Sequence, residues 1–514
     1  MIMKNISTLG KHCFSTSSTS PSIYGCFIGG IQEQNHVDAL DRFFLDVSDK
    51  HSGKVAFQVA HTSNAQVSES IRIGREEGVR AMGELGNYQK KAILLELVDR
   101  LRDRESEFLQ VMVTESGKPI SDCRVEFDRA LDTITVGAEE SVRKYGEFSP
   151  ADISERNAPY TMLTQRFPIG LISMISPFNF PLNLACHKVA PAIAAGCPFV
   201  LKPSERTPVT AIMLGEVLAE IKAMPKSGFS VVLPEHTQGG SSQLVDDERI
   251  TCLSFTGSPG VGWALKKQAG HKKVLLELGG NAGLIVDGNM SDKQLDEAAA
   301  RACLGAFTYA GQTCISVQRV YAHRSIYEKF KALLIKHTEN TWLCNQGSPF
   351  DEQTKVGPLI SANDAQRMQE WCDDAVSTHG ATVLVGGKQH DRVFFDPTII
   401  EHCPATHALN CKEAFGPVMT LQAFESFPEA IKLVNSSEFG LQTGVFTNDL
   451  NKAFYAYNHL EVGGVIINDI PTTRIDSQPY GGIKSSGIGR EGLRDAIEEF
   501  QEKKVMVAKN LGVL

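Results

Sequence analysis

An α/β architecture with two parallel sheets is what this sequence predicts, and three observations carry the prediction. Short apolar runs at Gly170–Ile175, Phe199–Leu201, Ser230–Leu233, Ile250–Phe255, Val274–Leu276 and Leu284–Val286 are mostly separated by helix-length segments. Parallel strands need such crossovers. A second series follows Cys314, and 514 residues exceed what one simple core holds, so two or three domains are expected. The boundary between the two series falls near Asp287–Ser291 on this reading.

Along the chain, residues 1–22 are rich in serine and threonine, carry Lys4 and Lys11, and contain no acid and no arginine. A flexible tail on a cytoplasmic protein is the simpler reading, and an organelle (mitochondrial) transit peptide is the alternative. Tyr24–Gly30 is a short apolar strand closed by glycines. Apolar spacing of three and four predicts helices from Asn64, over Gln89–Arg104 with its continuation Ser106–Val113, and over Ser121–Val142. Tyr160–Arg166 alternates as an antiparallel strand, and Pro168–Gly170 turns the chain. After Cys314 come a strand at Arg319–Ala322, helices at Ser325–Thr338 and Ala362–His379, strands near Thr382–Leu384 and Thr420–Phe424, and a helix at Phe427–Val434.

Net charge −9 without a basic block argues against nucleic acid as the main partner. No apolar run reaches the ~18–20 residues that span a bilayer. Twelve cysteines without a C-x-x-C pair or clustered histidines indicate neither a zinc site nor a disulfide framework. No metal is expected.

One stretch organises the chemistry, Gly311-Gln312-Thr313-Cys314. A cysteine after a glycine turn, on a cleft floor beside backbone N–H dipoles, is expected to have a lowered pKa and to act as a nucleophile. Taken alone, a structural cysteine is the plainer reading. Asn179, between two prolines in Ser176-Pro-Phe-Asn-Phe-Pro181, offers a fixed amide N–H for an oxyanion, or simply shapes a turn. Lys202 and Glu205 end a strand where a ribose can be held, and Glu205 repels a 2′-phosphate, which favours NAD over NADP. Thr256-Gly257-Ser258 opens a helix whose N–H groups suit a pyrophosphate. Glu277, a carboxylate in the apolar strand Val274–Gly280, is expected to have a raised pKa and to serve as general base.

Ser-Pro-Phe-Asn-Phe-Pro, Leu-Lys-Pro-Ser-Glu, Phe-Thr-Gly-Ser, Leu-Glu-Leu-Gly-Gly, Gly-Gln-Thr-Cys, Glu413-Ala-Phe-Gly-Pro417 and Tyr480–Glu491 occur in one order. Together they resemble the NAD(P)-dependent aldehyde dehydrogenase superfamily over roughly residues 25–510. The resemblance implies that Cys314 forms a thiohemiacetal and then a thioester, that Asn179 holds the oxyanion, and that Glu277 activates the hydrolytic water. It implies cofactor contacts from Ser176, Phe178, Lys202, Ser204, Glu205, Gly257, Ser258, Gly262, Leu278, Glu413 and Phe415. Glu491 takes the place of a proton-relay glutamate. The implied architecture is a Rossmann-like cofactor domain (23–149 and 168–287), an α/β catalytic domain (288–487) and a β-flap (150–167 and 488–514) that joins subunits into homodimers or homotetramers.

Two stretches depart from the family pattern: Asn281-Ala282 replaces a common lysine, and Leu233–Gly240 lacks the usual Pro-Gly turn. The motifs also resemble the lactaldehyde dehydrogenase-like branch, in which His187 and Arg474 would line a polar tunnel for small hydroxylated or anionic aldehydes. Broad-specificity and CoA-acylating relatives are the rival enzymes, and CoA-acylating ones generally lack the counterpart of Glu277. A catalytically silent structural protein on the same scaffold is the rival outside enzymes.

Overall fold

The computed structural model describes residues 21–33, 43–143, 146–235 and 240–510. The tail or transit-peptide expectation for 1–22 therefore lies almost wholly outside the described residues, as does part of Leu233–Gly240. Among the described residues, no helix is long and apolar enough to cross a membrane.

Five parallel strands form the middle of an eight-stranded sheet, in the spatial order Lys273–Glu277, Cys252–Thr256, Ile172–Ile175, Phe199–Lys202 and Phe229–Val231. The chain steps outward from Ile172–Ile175 in one direction, then returns to continue on its other side. Such a reversal opens a crevice at the carboxyl ends of the strands that flank it. The second sheet has seven strands around Ala282–Val286, Val317–His323 and Val418–Phe424, which pair in parallel. The third is antiparallel: Tyr160–Pro168 pairs with Gln501–Lys509, from Pro168 opposite Gln501 to Tyr160 opposite Lys509, and with Gly146–Pro150 on its other edge.

Strand pairing differs from the expected boundaries in three places. Ala282–Val286 belongs to the second sheet, so the sheets part at Leu278–Asn281 rather than near Asp287–Ser291. A strand buried on both faces carries no mark of which sheet it joins. Gly146–Pro150, of which only the last residue falls inside the expected flap, is a flap strand. Gly487–Ile488 pairs with Lys273–Glu277 in the first sheet, so the carboxyl-terminal flap strand starts at Gln501.

Two buried acids set the helices that follow the first two strands. Glu115 accepts from the N–H groups of Val209 and Thr210 at 2.8 and 2.9 Å, at the start of helix Val209–Glu220. Glu126 accepts from the N–H groups of Leu182 and Asn183 at 2.9 and 3.2 Å, where helix Asn183–Ala195 begins, and pairs with Lys118 through its other oxygen. Both acids complement the positive helix end. The Lys118 and Glu126 side chains are wholly buried, so removing one strands the other. Glu126→Leu is expected to cost about 3–5 kcal/mol in equilibrium unfolding. The double variant Lys118→Met/Glu126→Leu should recover the part due to the unpaired ammonium and keep only the capping loss.

Candidate active site

The carboxyl edge of the first sheet meets the amino edge of the second, and the reactive groups collect between them. Glu277 is the last residue of Lys273–Glu277. The chain then crosses through Leu278–Asn281 into the second sheet, passing against the cysteine loop. A Cβ on Gly280 would lie 2.1 Å from the Cys314 carbonyl oxygen, so this approach requires glycine.

After helix Asp292–Phe307 the chain takes three consecutive left-handed residues, Tyr309, Ala310 (both φ 50°) and Gly311 (φ 69°). Tyr309 is pinned by its N–H to Asp122 at 3.1 Å and its hydroxyl to the Ser116 carbonyl at 3.1 Å. Cys314 therefore sits on a turn, ahead of the strand Val317–His323. Asn179 is buried and donates through Nδ2 to the Gln312 carbonyl at 3.1 Å. That bond holds the amide against the cysteine loop and leaves its second Nδ2 proton for an oxyanion.

The electrostatics reverse one expectation and support another. Burial pushes the Cys314 thiol up to about 12, against the expected lowering. The Tyr480 hydroxyl, 3.3 Å from Sγ, and Arg474 pull it down, but Glu413 and Glu277 oppose them and desolvation dominates. The resting site therefore holds a thiol, and its proton must leave as attack begins.

Glu277 is held well above the usual carboxylate range by burial and by the charge of Glu491, and its Oε2 has no hydrogen-bond partner. A poised, unsatisfied carboxyl group suits a general base. Glu491 goes the other way: burial would raise it, but Lys188 at 3.6 Å and Arg474 at 3.2 Å hold it below the usual range. It is thus held as an anion in the resting site, between Lys188 and Arg474.

The residues expected to hold NAD(P) lie along the crevice, and their donors fit it. The Ser176 N–H donates to the Lys202 carbonyl at 3.1 Å, joining the ends of two neighbouring strands. The Lys202 ammonium lies 3.6 Å from Glu205, and Ser204 Oγ accepts from the Arg206 N–H at 3.2 Å. Ser258 precedes Pro259 at the start of helix Pro259–Gln268 and makes no side-chain cap. Its hydroxyl and the N–H groups of the first turn can therefore meet a pyrophosphate. The Gly257 N–H is anchored on the Glu277 carbonyl at 3.0 Å, the Leu278 N–H donates to the Ser486 carbonyl at 2.9 Å, and Gly262 packs directly on Leu278. Glu413 accepts from the Gly280 N–H at 2.9 Å, and burial raises it to about 7. Phe415, in the left-handed region, meets Phe178 edge to face at 5.7 Å.

On the other side of Cys314 lies a cavity of about 340 Å³. Cys314, Tyr480, Phe180 and Leu184 line it together with Lys118, Arg129, Arg301 and Arg474. Arg474 is there as expected, stacked 3.7 Å over the Tyr480 ring, with its Nε lacking a hydrogen-bond partner. His187 is not in the wall. It sits behind, 3.4 Å from Arg474, 3.3 Å from Asp476 and 3.2 Å from Thr133, and positions the arginine.

Sequence reasoning gave no role to Tyr480, Lys188, Arg129, Arg301 or Lys118. Tyr480 was visible as the first residue of the Tyr480–Glu491 motif. Arg129 and Lys118, on and before helix Ile120–Glu140, gave no signal, since a helix face declares only which side is apolar.

The model of the aldehyde dehydrogenase family matches residues 37–506. The chain is 36% identical over 492 residues to 3-sulfolactaldehyde dehydrogenase of Priestia aryabhattai, covering 96% of this chain and 99% of that one. It superposes on aldehyde dehydrogenase 21 of Physcomitrella patens, solved with the reaction product succinate, with a TM-score of 0.92 and 43% identity over 96% of this chain and 100% of that one. Glyceraldehyde-3-phosphate dehydrogenase of Methanocaldococcus jannaschii, complexed with NADP, superposes with a TM-score of 0.85 and 34% identity over 91% and 100%. A half-buried cysteine beside a carboxyl group held above its usual range, in a chain that these relatives match over nearly its whole length, establishes that the protein belongs to the aldehyde dehydrogenase family and is an NAD(P)-dependent enzyme.

Proposed function

We propose that the substrate is a small aldehyde carrying an anionic group, oxidised to its carboxylic acid by hydrolysis of a Cys314 thioester. The observation that carries this reading is Arg474, buried beside Cys314 with an unsatisfied Nε, in a cavity that three further cations and one acid, Asp122, also line. Buried donors left unpaired favour the ligand that pairs them. The three relatives are named for 3-sulfolactaldehyde, solved with succinate and named for glyceraldehyde 3-phosphate, a sulfonate, a carboxylate and a phosphate, which supports the same class. Lactaldehyde and glycolaldehyde fit the cavity as neutral members of the small polar set.

On this reading the aldehyde carbon meets Cys314 Sγ, and the oxyanion is held by Asn179 Nδ2. The thiol proton is released to solvent as the carbon–sulfur bond forms, with Tyr480 within hydrogen-bonding distance of Sγ. NAD(P), when bound, accepts the hydride that the thiohemiacetal gives up in becoming a thioester. Glu277 then takes a proton from water, which attacks the thioester and frees the acid and Cys314. Glu205 favours NAD.

Arg301 stands at the cavity mouth, 35% exposed and paired with Asp469. Arg301→Gln is expected to raise KM for 3-sulfolactaldehyde and succinate semialdehyde roughly tenfold or more, as loss of a charge-assisted hydrogen bond does. The KM for propanal should barely change. Equal effects on charged and neutral aldehydes, or a wild-type preference for long or aromatic aldehydes, would remove the anion reading.

Assembly follows from the flap. Its strands leave Phe148, Leu163, Phe167, Val505, Met506 and Val507 exposed, and bare apolar edges of this kind favour pairing with another copy. The homodimer or homotetramer this implies should appear in sedimentation velocity, and a monomer at micromolar concentration would contradict it.

A further inference from the structure

Outside the active site, the described residues include a group of side chains of metal-ligand type: Asp374, His379 and His407 each offer one ligand atom, all within 4.8 Å of one another. They stand apart in the sequence, where no histidine cluster shows, and only the fold collects them. We infer that these three side chains bind one zinc-class divalent metal ion, with water in the fourth position. This inference does not depend on the substrate reading, and it departs from the expectation of no metal.

Geometry carries it. Asp374 lies in the last turn of helix Ala362–Ser377, and His379 just beyond its end, before the left-handed Gly380. Both are exposed, whereas His407, which opens the short helix Ala408–Cys411, is buried. Asp374 Oδ2 lies 3.1 Å from His407 Nε2 and 3.7 Å from His379 Nε2. Ligand atoms around a tetrahedral zinc, with bonds of ~2.0–2.2 Å, stand about 3.4 Å apart. A small turn of the two exposed side chains therefore closes the set onto an ion whose place His407 fixes. Two imidazoles and one carboxylate suit zinc over magnesium or calcium, which take oxygen ligands.

Charge favours a cation at the same point. Asp374 is a negative group at the negative end of its helix, whose last turn holds no basic residue. Among the described residues no lysine or arginine pairs with it; its ion partners are the two histidines, charged only when protonated. A metal ion supplies the missing charge and leaves both imidazoles neutral. One proton moves to admit it. His407 Nδ1 accepts from the Leu409 N–H at 3.2 Å, so at rest the ring proton sits on Nε2, towards Asp374. A metal on Nε2 shifts that proton to Nδ1, which then donates to Cys403 Sγ at 3.6 Å and gives up the Leu409 bond. The loop so held runs on to Glu413, and its Asn410 and Lys412 carbonyls accept from Asn281 Nδ2 at 3.0 and 2.9 Å. An ion here therefore ties the end of helix Ala362–Ser377 to the loop that leads to Glu413.

The test uses full-length enzyme carrying Cys314→Ala, so that the reactive thiol cannot take the ion. It is stripped of metal with EDTA and titrated with Co²⁺, then with Zn²⁺. We expect one Co²⁺ per chain, with the visible bands of four-coordinate cobalt and no thiolate charge-transfer band, displaced by Zn²⁺ but not by excess Mg²⁺. His379→Gln and Asp374→Asn, both at exposed positions, are each expected to weaken Zn²⁺ binding at least about tenfold, with NAD binding unchanged. No cobalt bound, a thiolate band with the first equivalent, or a smaller loss in either variant overturns the site. Should the variants not fold, carbethoxylation of His379 in the unsubstituted enzyme by diethyl pyrocarbonate, read by peptide mass spectrometry, decides. Slowing by Zn²⁺ and not by Mg²⁺ supports the site. Modification indifferent to Zn²⁺, or slowed equally by Mg²⁺, overturns it.

Discussion

Replacing Cys314 by alanine is expected to lower turnover ~10⁴-fold or more while leaving NAD binding intact. The thiol is the group placed to form the bond to the aldehyde carbon, and neither Tyr480 nor Glu277 substitutes for it. The measurement is NADH formation at saturating aldehyde, alongside cofactor titration by fluorescence. Retained turnover would mean that hydride transfer proceeds without a covalent adduct. Lost NAD binding would mean that the loop, rather than the nucleophile, had been damaged. Because Cys314 is raised to about 12, the wild-type enzyme should also react slowly with iodoacetamide near neutral pH.

Glu277→Gln should separate the two halves of the reaction. On the proposed mechanism thioester formation uses Cys314 and Asn179 and release uses the base, so rapid mixing should show one equivalent of NADH per site and then turnover lowered ~10²–10⁴-fold. Absence of the burst, with turnover equally low, would place Glu277 before the thioester instead. The sign of the pH dependence follows from the raised carboxyl pKa. Glu277 acts as a base only when ionised, so wild-type turnover should rise with pH above the ordinary carboxylate range, and that limb should vanish in the glutamine variant. For stability the sign is opposite. A carboxyl group whose folded pKa is raised favours the fold below its unfolded pKa and loses that contribution as pH rises through the folded value. Glu277→Gln should therefore resist unfolding better than wild type at alkaline pH. CoA should not be required in either enzyme.

Much of this site could be read before any coordinates. Cys314, Asn179, Glu277, Lys202, Glu205 and Ser258 each stand where a strand ends or a glycine turn begins, and such positions are marked by local chemistry: a proline, a glycine, an acid in an apolar run. Strand and helix positions were legible for the same reason, since period and turn residues are local.

What could not be read is whatever depends on distance through space. The pKa of Cys314 was expected to fall because the turn was visible and the burial was not. The two cations that hold Glu491 ionised, Lys188 and Arg474, meet it only in the fold. His187 was expected in the tunnel wall, yet Thr133, Asp476 and Arg474 enclose it. Ala282–Val286 was assigned to the wrong sheet because a strand buried on both faces pairs with either.

The amino-acid sequence by itself determined the elements, the family and the reactive residue types, because these rest on patterns within a few tens of residues. Only the tertiary structure decided which charges meet, which are stripped of water, and so which way each proton leans. Ionisation depends on the field and solvent at a point, and those are set by residues hundreds of positions away.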